Sequence, residues 1–141
     1  MRRHIAIVCG AFFIFCGCGR DDEIMHASKI MDSYYSSIRS GKIEDTIPLL
    51  TDDFIQKNPK ENWVETQNGI LSLMGPLVEW KRSTENSHYY PDTGQNQETV
   101  VIIYHVQYAH HRSRELFTLV KDPRSGEYRI CGVDITAKDM K

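Results

Sequence analysis

Three histidines, His105, His110 and His111, stand close together in this 141-residue chain, with Arg112, Arg114 and Glu115 beside them. A zinc-type site needs three or four convergent donors. His110 and His111 are adjacent, so an extended backbone turns them to opposite sides, and His105 is out of phase with Tyr104. The group reads as a solvated hairpin tip, with no metal and no cofactor. Proton transfer at carbon asks instead for a carboxylate or imidazole inside an apolar pocket. Asp134 is the candidate. Alternation with Tyr128 and Ile130 turns it inward, whereas a bulge at Gly132 would reverse that phase and leave it at a solvated strand end. No second pocket carboxylate is evident beside it, so the acid–base pair is incomplete and the chain leans away from catalysis. Cys131 has no basic neighbour that alternation would aim at it, and reads as a small buried residue, not a nucleophile. Tyr34, Trp63, Met74, Tyr104, Val106 and Tyr108 could line an apolar ligand pocket with hydroxyls at its mouth. They could equally be rings and thioether filling a core.

These side chains need a frame. Its centre is the run 100–108, Val-Val-Ile-Ile-Tyr-His-Val-Gln-Tyr, rich in β-branched and aromatic residues and free of Gly and Pro. Upstream the apolar period is helical. Ala27, Ile30, Met31, Tyr34 and Ile38 predict a first helix over about 23–40, stopped by Gly41. Ile43, Ile47 and Leu50 predict a short second helix distorted by Pro48. Asn58 as N-cap, Pro59 at the first helical position and Glu61 three residues after the cap predict a third, closed by Gly75-Pro76. Strands are expected over 77–90, 98–109, 113–121 and 127–136, separated by turn-forming stretches at 91–96, 110–112 and 122–126. Three helices followed by a four-stranded antiparallel meander is an α+β order, with the helices on one face of the sheet.

The first seventeen residues read as a targeting segment. Arg2 and Arg3 precede an apolar run over 5–15, which is too short to span a bilayer. It ends in Phe15-Cys16-Gly17-Cys18, followed by charged Arg20-Asp21-Asp22-Glu23. This resembles a bacterial lipoprotein signal, which implies removal of residues 1–17, lipidation (palmitate) of Cys18 and membrane attachment through that lipid. Gly19 after the cysteine implies sorting to the outer membrane over the inner. Residues 18–23 would be a tether, 24–136 the domain, and 137–141 a polar tail. Losing Arg2 and Arg3 takes the net charge from −2 to −4, which gives no electrostatic case for nucleic acid. Of the four cysteines only Cys131 lies in the folded body, so no internal disulfide forms there.

The element order carries a second resemblance. A helix, an acidic loop ending in Phe54, a helix ending in Leu73-Met74-Gly75-Pro76-Leu77, and a sheet closing on Gly126-Glu127-Tyr128-Arg129-Ile130 resemble the nuclear-transport-factor-2-like (cystatin-like, ketosteroid-isomerase-like) cone fold. The likeness is greatest to small bacterial lipoproteins with domains of that fold. It implies an envelope protein that binds a small ligand or a partner. The alternatives are an isomerase or dehydratase, or a structural module of an envelope assembly, because such folds host all three. Val101 and Ile103, opposite in phase to Ile102 and Tyr104, are expected on the outer sheet face with Leu116 or Phe117, and with Trp80 or its neighbours. A second copy packed sheet to sheet, or another envelope partner, would cover them.

Overall fold

The computed structural model describes residues 18–92 and 97–138. The chain runs through helix α1 (Cys18–Arg39), a 3-10 helix (Ile43–Leu49), α2 (Asp52–Lys57) and α3 (Lys60–Met74). Strands β1 (Leu77–Arg82), β2 (His88–Tyr90), β3 (Thr99–Tyr108), β4 (Arg112–Lys121) and β5 (Tyr128–Lys138) follow. The sheet is antiparallel, in the order β1-β3-β4-β5, with β2 also paired to β3. The helices cover one face of this curved sheet, so the α+β order holds. No helix among the described residues is long and apolar enough to cross a membrane.

Several expectations are corrected by local chemistry. The strand expected over 77–90 breaks in two, giving five strands where four were anticipated. At the break, Ser87 Oγ donates to the Ser83 carbonyl at 2.8 Å and Asn86 Nδ2 donates to Ser83 Oγ at 3.3 Å. Short polar side chains thus offer the backbone a turn in place of the ladder. The acidic loop is itself a helix, α2, whose N-cap Thr51 accepts from the Phe54 amide. Asn58 therefore caps the end of α2. Its Nδ2 donates back to the Phe54 carbonyl at 3.1 Å, and Pro59 occupies the N-cap of α3 without a side-chain bond. Pro48 distorts the second helix into 3-10 geometry, as expected. The tether expected at 18–23 is the first turn and a half of α1. At the other end β5 runs to Lys138, through residues read as tail, and 139–141 lie outside the described residues, as does the signal at 1–17.

The core lies between α1 and the inner sheet face. Ala27, Met31, Tyr34, Tyr35 and Ile38 meet Val100, Ile102, Tyr104, Phe117, Leu119 and Ile130, all 3 % exposed or less. Trp80 faces this core side, not the outer face. It stacks on Tyr35 at 5.3 Å, donates to Asp32 at 3.2 Å and carries Arg39 over its ring at 4.8 Å. The β3–β4 turn docks on the end of α3, where the His110 and Ala109 amides donate to the Met74 and Pro76 carbonyls.

Candidate functional site

A register shift in β5 decides which side chains enter the interior. Thr118 pairs with Gly132 but Leu119 with Ile130, so Cys131 is the extra residue of a bulge. Beyond it the phase reverses. Val133 and Ile135 pair with inward Phe117 and Glu115, while Asp134 pairs with Leu116 on the outer face and is exposed. Asp134 is thereby removed from the interior.

The interior carboxylate is Glu115. It is 1 % exposed and accepts three hydroxyl bonds. Ser113 Oγ and Tyr108 Oη donate to Oε1 at 2.7 and 2.8 Å, and Tyr35 Oη donates to Oε2 at 2.8 Å. Burial pushes its pKa above the usual carboxylate range, and the three hydroxyls only partly oppose that. Burial, with the nearby Glu115 carboxylate, raises Tyr34, Tyr35 and Tyr108 well above an ordinary phenol. Tyr34 Oη donates to Gln67 Oε1 at 3.3 Å, which links this cluster to α3. The signal for Glu115 was present in the sequence. Alternation through Phe117 and Leu119 places it inward, but its neighbours Arg112 and Arg114 made it read as part of a solvated tip.

Beside this cluster, a cleft of about 680 Å³ runs along β5 beneath α2 and α3. Phe54, Trp63, Ile70, Val133 and Ile135 form its apolar surface. Trp63 is held by Phe54 edge-on at 5.3 Å and by its own indole N–H, which donates to Thr46 Oγ1 at 2.9 Å. Thr51, Asn62, Thr66 and Gln67 add neutral hydrogen-bonding groups, with Asp53 and Lys57 also in the lining. Cys131 lies in the wall, its thiol pKa raised by burial. Gln67 is the junction, since it lines the cleft while its Oε1 accepts from Tyr34.

Of the six pocket candidates, Trp63 lines this cleft. Tyr34, Met74, Tyr104, Val106 and Tyr108 are at most 4 % exposed and fill the core. The histidines do not converge. His105 and His110 are exposed, and among the described residues no group of three His, Cys, Asp or Glu is placed to hold a metal.

No family model matches the chain, and no curated protein does. It is similar to the crystal structure of a candidate scytalone dehydratase from Novosphingobium aromaticivorans DSM 12444, with a TM-score of 0.53 and 13 % sequence identity, over 85 % of this chain and 89 % of that one. That protein has the nuclear-transport-factor-2-like, ketosteroid-isomerase-like fold. At this identity the likeness is one of fold, and it agrees with the cone architecture that the element order resembled.

Proposed function

We propose that this chain is a lipid-anchored bacterial envelope protein whose cone domain binds a small ligand in the cleft along β5 without transforming it. The observation that carries the binding reading is the cleft's lining. A fixed indole and aliphatic wall faces neutral amides and hydroxyls, in a volume suited to a small organic molecule. Such a lining fits an uncharged, half-apolar ligand. The envelope address rests on the basic start, the short apolar run and Cys18 followed by Gly19 and charged residues. Attachment through a lipid at Cys18, and the outer over the inner membrane, belong to the same proposal. Native mass spectrometry of the full protein from its own envelope tests both halves. The expected spectrum shows a lipid mass on Cys18 and a further small mass that disappears in Thr66→Tyr, which fills the cleft from an exposed helix position. Cys18→Ser is expected to abolish fatty-acid labelling. A wild-type protein carrying lipid and nothing else would defeat the ligand reading, and normal maturation and membrane fractionation of Cys18→Ser would defeat the anchor.

One observation favours a second reading, an isomerase or dehydratase. Glu115 is a buried carboxylate of raised pKa held by two tyrosine hydroxyls, a pairing suited to proton transfer. It is second because Glu115 lines none of the described clefts, so a substrate would have to part Tyr35 and Tyr108 to reach it. Turnover of a hydroxy- or oxo-compound that binds the cleft, abolished by Glu115→Gln with binding retained, would establish it over the first.

A further inference from the structure

The start of α1 is built into the domain. Among the described residues the helix already includes Cys18. Arg20 reaches His88 at 3.4 Å. Glu23 accepts from Tyr128 Oη at 2.5 Å and from Lys121 Nζ at 3.0 and 3.1 Å, and the same ammonium reaches Glu98 at 3.2 Å. One carboxylate thus ties the second turn of α1 to β4, β5 and the segment before β3. Cys18 and Glu23 lie on one continuous helix, so few residues separate the cysteine from the first of these ties.

From this we infer that the protein, once lipidated, docks end-on against the bilayer that holds its lipid, presenting the start of α1, β2 and the β4–β5 turn. The inference rests on the anchor reading proposed above. A lipid on a long disordered linker would let the domain swing, but a lipid on the first residue of a pinned helix fixes which end touches the headgroups. That end carries Tyr90, 53 % exposed, and Met25, 49 % exposed. Tyrosine is suited to the headgroup level, where its ring and hydroxyl are both accommodated. Charge does not drive the contact, since Arg20 and Arg124 are outnumbered by Asp21, Asp22, Asp92, Asp122 and Glu127. Lying flat is disfavoured, because the outward side of α1 carries exposed Asp22, Lys29, Asp32, Ser33 and Ser36. With 22 residues at about 1.5 Å each, α1 is about 33 Å long. The β3–β4 turn sits at the far end, against the close of α3.

The test uses full-length lipidated protein in phosphatidylethanolamine–phosphatidylglycerol vesicles doped with a headgroup nitroxide quencher. A fluorophore is placed on Tyr90→Cys or on His110→Cys, in a Cys131→Ser background. Quenching is expected to be at least severalfold stronger at position 90 than at 110. Ten Gly/Ser residues inserted between Gly19 and Arg20 are expected to erase the difference while leaving vesicle binding intact. Equal quenching at the two positions without the insertion overturns end-on docking. Intact mass measured on the same sample separates the two ideas, for a chain with no lipid on Cys18 removes the anchor reading and this inference with it.

Discussion

Glu115 places a carboxyl group where water barely reaches it. Its pKa is raised by burial, so the folded state keeps a proton that the unfolded chain has released. From about pH 4.5, the ordinary carboxylate value for this group, up to the raised native value, the native state binds more protons. Stability therefore falls as pH rises through that window, and the full penalty persists above it. Glu115→Gln keeps the shape and removes the charge. The variant is expected to be no less stable than the parent at pH 4 and more stable at pH 7, with a flatter profile in denaturant melts. A variant less stable at pH 7 than at pH 4, relative to the parent, would show that the three hydroxyl bonds outweigh burial and hold the carboxyl below its ordinary value. Gly75 is the second residue whose identity is dictated locally. It sits at φ 85°, ψ 177°, a region open almost only to glycine. An added Cβ would also meet His110 Cδ2 at 2.8 Å and Ala109 Cβ at 2.9 Å. Gly75→Ala is expected to cost about 1–3 kcal/mol by the backbone strain alone. A loss below about 0.5 kcal/mol, the size of an ordinary surface change, would mean that the α3–β1 junction relaxes freely.

The boundary between α2 and α3 shows how helix signals compete. Asn-Pro-x-Glu over 58–61 is a good start signal, yet Thr51 opens an earlier helix that consumes Asn58 as its end. Thr51→Ala is accordingly expected to cost about 1 kcal/mol through loss of the N-cap acceptor. Asn58→Ala is expected to stay within about 0.5 kcal/mol, because its side chain is exposed and caps only one carbonyl. Equal costs in urea melts would reinstate Asn58 as the start of α3. The same contest explains what could be read beforehand. Long periodic elements were legible, because α1, α3, β3 and β4 each repeat one pattern over ten or more residues. The β1–β2 break and the Cys131 bulge were not, since each turns on one or two residues. The candidate site hung on the second of these. Gly132 marked the bulge region, and the reversal it allowed sends Asp134 outward and Ile135 inward. Glu115 was equally legible by alternation and was passed over because charge usually marks solvent.

Across the whole molecule the remaining question is what the outer sheet face meets. Register puts Val101 and Ile103 on that face, paired with Thr118 and Leu116, as alternation required. Its apolar strip is narrower than the sequence implied. Trp80 and Phe117 have gone to the inner side, and Ile103 is already 5 % exposed within the single chain. What remains open is half-covered Val101 and Leu116, with exposed Tyr90 at the β2 end, bordered by exposed His105 and Asp134. Cover by a second copy through this face remains our proposal, and its strength follows from that geometry. A stable dimer buries about 1,200–2,000 Å² with a fully desolvated centre. Two half-covered aliphatic side chains and a tyrosine at the sheet's end do not supply such a centre, so self-association here is expected to be weak, with a dissociation constant of about 10 μM or above. Val101→Lys should abolish it without destabilising the fold, since the lysine stem can lie on the sheet with its ammonium in water. Sedimentation of residues 19–141 across a concentration series, with the Val101→Lys chain alongside, measures this. A nanomolar dimer that survives the substitution would place the self-association surface elsewhere on the molecule.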